Sequence, residues 1–217
     1  NLYLAVTNVS IVSVNPNSPY QTMPQLLEAM KNKQVSVATA GNSSSGHFAM
    51  EALSKAAGVK YRHVTYDGGN PAVVSTVAGE TEVTTQLAPE QAEMIKAKRL
   101  RPLAVVGDQP LTIEGYGTIP PITDFVKDFH KVTTGFGIFI PKGVPPEVVA
   151  TVDKLWAEKI ATSDKLKKYA AEKGALFTPL YGKAAYDAVW PTVVTDAYLL
   201  QDAGLAKVSP ESVGIKR

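Results

Sequence analysis

Short apolar runs of strand length alternate along this chain with longer segments whose apolar residues recur at helical spacing. That alternation predicts βα units around a mainly parallel sheet. Val35 to Ala40 predicts a buried strand, Gly41 to Ser45 a loop of small polar residues, and Gly46 to Ala57 a helix carrying Phe48, Ala49, Leu53 and Ala56 inward, with Gly58 as its stop. The same grammar then repeats. Tyr61 to Thr65 predicts a strand, Tyr66-Asp67-Gly68-Gly69 a turn, and Asn70-Pro71 the cap and first residue of a helix whose apolar face carries Val73, Val74 and Val77. Glu82 to Thr85 predicts a short strand, Ala88 to Lys98 a helix and Arg101 to Val106 a further strand. Three strand-to-helix turns therefore share one edge of the sheet.

Beyond Val106 the pattern loosens. Gly107 to Pro121, with Gly115-Tyr116-Gly117 and Pro120-Pro121, predicts a long connection, followed by a short helical piece near Asp124 to Lys127. Gly135 to Ile140 restores a strand. Pro145-Pro146-Glu147 opens a helix whose stripe of Val148, Val149, Val152, Leu155, Trp156 and Ile160 predicts a core-facing side. Ser163 caps a helix with Leu166, Tyr169 and Ala170 inward and Gly174 at its end; Ala175 to Pro179 is extended. Gly182 to Ala203 is helical with a kink or break at Pro191, and Ser209 to Arg217 reads as a loose tail.

Composition removes several classes of function. With 45% hydrophobic and 19% charged residues the chain lies well inside the folded range, so disorder is excluded. A net charge of +2, with basic and acidic residues interspersed, leaves no electrostatic footprint for nucleic acid. No apolar stretch approaches the ~20 residues that span a bilayer, so the chain is not membrane-embedded. No basic start and apolar h-region are present, which fits a cytosolic protein or an exported one in mature form. The absence of cysteine excludes disulfides, thiolate metal sites and thiol nucleophiles, and His47, His63 and His130 have no metal-ligand spacing. Ser45 and His47 diverge at a helix start and no Gly-x-Ser-x-Gly elbow exists; Glu80 and Glu82 sit in a polar turn facing water. No catalytic residue, metal or cofactor is expected.

The chemistry that remains is anion binding. Gly41, Asn42, Ser43, Ser44, Ser45, Gly46 and His47 lie between a strand end and a helix start, where exposed peptide N–H groups attract anions and small residues let a ligand approach them. The loop suits a carboxylate or a phosphate; neither a Walker A loop nor a Gly-x-Gly-x-x-Gly pattern follows, so nucleotide readings lose support. A bare loop of this kind also serves as an ordinary βα turn. Tyr66, Gly68 and Gly69 form the second turn at the same edge, where glycine serves positive φ or exposes peptide groups to a ligand. Thr85 and Gln86 close the third strand and offer directional hydrogen bonds at the edge where open α/β sheets bind ligands; His47 reads as a first-turn surface residue within reach.

Five ordered blocks carry a resemblance: Val12-Ser13-Val14-Asn15-Pro16, the Gly41 to His47 loop, Val64 to Ala72, Ile95 to Arg101 and Phe136 to Gly143. In this order they resemble the tripartite tricarboxylate transporter receptors, also called the Bug family. The resemblance implies an α/β fold of the type II periplasmic-binding-protein kind, two lobes with a ligand cleft between them. Residues 11–130 would form the second lobe. Residues 1–10 and 131–217 would supply crossover strands, one near the start and one at Thr133 to Phe136, and the C-terminal part of a first lobe that is incomplete here. It further implies a periplasmic location in exported, mature form, capture of a small organic anion, a di- or tricarboxylate, and delivery to the permease subunits of a tripartite tricarboxylate transporter. Where family members often carry Trp, Gly135 stands; where they carry acidic residues or Asn, Gln86 and Leu87 stand. The ligand-sensing domain of a transcription regulator shares the two-lobe fold and is the alternative reading.

Overall fold

The computed structural model describes residues 1–127, 129 and 134–216, so His130 and the expected lobe boundary and crossover start at 130–133 lie outside the described residues. The chain divides into two compact units: Val9–Thr133 with Glu172–Gly174, and Asn1–Asn8 with Thr134–Ala171 and Ala175–Arg217.

The larger unit holds β2 (Ile11–Val14), α1 (Met23–Asn32), β3 (Val35–Thr39), α2 (Ser45–Ala57), β4 (Tyr61–Thr65), α3 (Gly69–Ala78), β5 (Val83–Thr84), α4 (Ala88–Lys96), β6 (Arg101–Val105), β7 (Leu111–Ile113) and β8 (Gly117–Ile119), following β1 (Leu2–Asn8) of the other unit. Its sheet runs β4-β3-β5-β2-β6, with β3 parallel to β4 and β5 and with β2 antiparallel to β5 and β6. All five residues of β3 are buried, Ser36 and Thr39 included, because both faces of a parallel strand are covered. Met50 and Leu53 of α2 are fully buried in the same cluster as Val35 and Val37. Each such side chain is worth about 1.5–3 kcal/mol of burial. Gly58 ends α2 in the left-handed conformation at φ 63°.

The smaller unit contains β1, β9 (Thr134–Phe139), α5 (Pro146–Leu155), a π-helical turn at Trp156–Ile160, α6 (Asp164–Lys173), β10 (Leu176–Tyr181) and α7 (Gly182–Asp202). β1 lies between β10 and β9 and is antiparallel to both. Trp156 anchors the unit: its indole N–H donates to the Leu4 carbonyl at 3.0 Å and its ring packs on Tyr3, whose hydroxyl donates to Asp153 at 2.6 Å.

Several expectations need correction. Val73 is buried but Val74 is exposed, because adjacent helical residues point about 100° apart and only one of them faces the sheet. The α5 stripe is not core: Val148 and Leu155 are exposed and Trp156 alone is buried. Tyr169 is exposed while Ala170 beside it is buried. Pro191 does not split α7; it sits on an exposed side, where the carbonyl it frees four residues earlier meets water. Residues Pro210–Val213 form a 3-10 turn capped by Ser209, with Pro210 buried, rather than a loose tail. Within the expected connection at 107–121, β7 and β8 pair as a hairpin. The helical piece near 124–127 is a 3-10 turn at Ile122–Asp124. Glu82 accepts hydrogen bonds from Tyr20, Lys33 and the Ser36 N–H instead of facing water.

Candidate functional site

The carboxyl ends of β3, β4 and β5 lie side by side, and the turns that leave them start α2, α3 and α4. Gly41 has φ +109°, a conformation that suits glycine, and its carbonyl accepts from the Ser44 hydroxyl at 3.0 Å, the Ser44 N–H at 3.3 Å and the Thr39 hydroxyl at 3.3 Å. Ser44 is the N-cap of α2, its hydroxyl accepting from the His47 N–H at 3.3 Å. The Asn42 carbonyl is held by the His47 ring at 2.5 Å. In a trans peptide the N–H points opposite to the C=O. Drawing the Gly41 and Asn42 carbonyls inward therefore turns the Asn42 and Ser43 N–H groups outward, and neither N–H has a partner among the described residues. Asn42 and Ser43 are exposed, and Ser45 and Gly46 open the helix. The result is a set of donors at the positive end of a helix dipole, suited to one carboxylate.

His47 is buried, with 2% of its surface exposed, so the expectation of a surface residue is wrong. Its Nε2 lies 3.4 Å from Glu51 one helical turn on, and its ring stacks on His63 of β4, centroids 4.3 Å apart and planes 2° from parallel. His63 Nε2 bonds the Thr39 hydroxyl at 2.6 Å, and the Tyr61 hydroxyl donates to Glu51. Burial, and secondarily the neighbouring His47, lowers the His63 pKa to about 4. The hydrogen bond from His47 is the largest influence holding Glu51 below the usual carboxylate range.

Gly68 has φ +112° and is the N-cap of α3, so the helix starts earlier than an Asn70 cap would set it. Gly69 has a different reason to be glycine. A Cβ there would lie 1.9 Å from Glu90 Oε1, and one at Gly46 would lie 2.1 Å from Gln86 Oε1. Gln86, 2% exposed, fills the gap between the two helix starts: its Oε1 accepts from the Ala40 N–H at 3.4 Å and its Nε2 donates to Glu90 Oε2 at 3.1 Å. Glu90 also accepts the Leu87 N–H at 3.1 Å, half of a capping box, and burial raises its pKa. Thr85 is buried and donates its hydroxyl to the Gly46 carbonyl at 2.7 Å, fixing the first turn of α2 from beneath. Tyr66 is half-buried, its N–H donating to the Thr39 carbonyl at 2.8 Å.

The loop 41–47, the turn at Tyr66, Gly68 and Gly69, and Thr85 with Gln86 are thus brought to one edge, but in unlike roles: the loop presents donors, while Thr85 and Gln86 brace it. Sequence reasoning missed Glu90, His63, Glu51 and Thr39. Glu90 had a signal, its place at the third position of a helix four residues after Gln86. The others have none in linear spacing. Among the described residues no group of three or more His, Cys, Asp or Glu could hold a metal, and no helix is long and apolar enough to cross a membrane. A groove of about 500 Å³ lies elsewhere, in the smaller unit, lined mainly by apolar atoms of Phe139, Tyr186 and Trp190, with Asn1 and Lys183 at its edge.

The architecture is that of the periplasmic-binding-protein fold. The chain superposes on the periplasmic binding protein BugD with a TM-score of 0.78 at 22% identity, over 94% of this chain and 68% of that one. On an R. palustris protein solved with adipate the TM-score is 0.73 at 21% identity, over 94% and 68%. Residues 2–175 match the family model described as tripartite tricarboxylate transporter family receptor, and the chain belongs to that family. A relative from Pseudomonas sp. (strain P51), the UPF0065 protein in the tcbD-tcbE intergenic region, is 31% identical over 167 residues, 74% of this chain and 48% of that protein. The chain thus spans about half the length of that relative.

Proposed function

We propose that this chain is the ligand-binding part of a solute receptor that captures a small organic acid, a di- or tricarboxylate, in the periplasm and delivers it to the permease subunits of a tripartite tricarboxylate transporter, without chemical turnover. The observation that carries the reading is the pair of outward N–H groups at Asn42 and Ser43, fixed by the inward carbonyls of Gly41 and Asn42 at the start of α2. One ligand carboxylate would take these donors together with the Ser43 and Ser45 hydroxyls. Tyr66 and the Gly68-Gly69 turn would border it. Neutral donors support binding that is strong yet reversible, as delivery requires. The adipate found in the R. palustris relative is a dicarboxylate of the kind expected.

The test is calorimetry and thermal shift of the full-length protein against succinate, malate, adipate and citrate. A ligand at a hundredfold excess over Kd stabilises by about 2.7 kcal/mol, which moves the midpoint by several degrees. Ser43→Asp, an exposed change, should abolish that shift while leaving the unliganded midpoint in place. The reading fails if none of the acids binds, or if Ser43→Asp binds as the wild type does.

A further inference from the structure

The His47 side chain has a position unusual for a histidine at a helix start: buried, with an acceptor at each ring nitrogen. Asn42 O lies 2.5 Å from Nδ1 and Glu51 Oε1 3.4 Å from Nε2. A carbonyl oxygen only accepts, so the Nδ1 facing Asn42 carries a proton and donates it. Around the ring stand Glu51 from the same helix, the stacked His63 and Tyr61 from β4, the latter donating to Glu51, and the Thr39 hydroxyl of β3, bonded to His63 rather than to His47.

We infer that His47 is the positioning residue of the anion loop: a buried ring whose Nδ1 holds the Asn42 carbonyl inward and so aims the Ser43 N–H at the ligand carboxylate. This rests on the loop being the ligand site. His47 itself touches no ligand, since its two nitrogens are engaged and its surface is covered. Any organic acid bound here would depend on it, whatever the rest of the ligand looks like.

Two substitutions separate positioning from mere structural support. Asn at 47 places an amide N–H near the position of Nδ1 and keeps the donation to Asn42, whereas Leu fills the space with no donor; both lose the contact with Glu51. In the full-length protein titrated with succinate and adipate, His47→Leu should weaken binding about tenfold, the cost of leaving one buried acceptor unpaired, while His47→Asn stays within about threefold of wild type. Urea midpoints of the two variants should fall together. Equal loss of affinity in both, or none in His47→Leu, overturns the inference. The ring has its own readout: nitrogen-15 shifts of His47 in the unliganded protein should report a protonated Nδ1, and a bare Nδ1 refutes the inference whether or not an acid binds. If the wild type binds no organic acid, the receptor reading falls and takes the ligand half of this inference with it.

Discussion

Glycine at 69 is required by a neighbour rather than by its own backbone, and that makes Gly69→Ala a measurable probe of how α3 and α4 fit together. Its φ is not positive, so alanine is acceptable to the chain there and even favoured by up to about 1 kcal/mol of helix propensity. The obstacle is the added methyl, 1.9 Å from Glu90 Oε1, 2.3 Å from Glu90 Cδ and 2.6 Å from Gln86 Nε2. Glu90 must swing away, and two bonds go with it. The Leu87 N–H loses its acceptor, a capping loss of about 1 kcal/mol, and Gln86 loses a charged acceptor, about 1.5–3 kcal/mol before water replaces part of it. Net of the propensity gain, Gly69→Ala should destabilise the larger unit by about 2 kcal/mol.

Glu90→Ala removes those bonds beforehand, so adding Gly69→Ala to it should be neutral or mildly stabilising. The double-mutant cycle should therefore show a coupling of about 2 kcal/mol. Gly107→Ala is the control: its Cβ would meet only Val105 at 3.7 Å, and the change should stay within about 0.5 kcal/mol. The assay needs care, because both tryptophans, Trp156 and Trp190, belong to the smaller unit. Their fluorescence would report the wrong transition, and two units need not unfold together. Urea unfolding should be followed by amide hydrogen exchange of β3 and β5. Additivity of the two substitutions within about 0.5 kcal/mol would mean that Glu90 does not occupy the space over Gly69, and the packing account of both glycines would go with it.

Two further predictions concern pH. His63, with its pKa lowered to about 4 by burial, binds its proton less readily folded than unfolded; its contribution is complete above about pH 6.5 and is lost as pH falls toward 4. With partial solvent access this amounts to about 1–2 kcal/mol, and His63→Gln should flatten the stability profile of the larger unit over that window by this amount; an unchanged slope would sink the assignment. Asp196 on α7 is the opposite case: burial raises its pKa to about 7 and its Oδ1 has no hydrogen-bond partner among the described residues. The folded state keeps the proton that the unfolded state releases near pH 4, so stability falls between about pH 4 and 7. Asp196→Asn should stabilise the smaller unit by about 2–4 kcal/mol at pH 8 relative to its effect at pH 4, read by tryptophan fluorescence in urea, and a gain equal at both values would refute it.

The sequence is most legible where one physical requirement decides the residue. β3 needed burial on both faces and is written in apolar and small residues, and Gly58 needed a left-handed stop. Gly41 and Gly68 announced their turns for the same reason, a positive φ. Legibility fails where the requirement comes from a partner distant in sequence. The α5 stripe states which side is apolar, yet Val148 and Leu155 remain exposed, because periodicity does not say what covers a face. Leu111 and Ile113 flank an exposed Thr112 as a strand should, but three residues are too few to set a period against the glycines beside them. The site divides in the same way. The small residues of loop 41–47 are readable because a donor-rich approach demands them. The His47–His63 stack is not, since it needs the parallel register that sets His63 opposite Val37 and a helix start that brings residue 47 over it. Gly46 and Gly69 read as loop glycines and prove to be clearances for Gln86 and Glu90. A glycine at a strand-to-helix turn therefore poses two questions, which φ it adopts and whose side chain stands where its Cβ would be, and only the first is answerable from its neighbours in the chain.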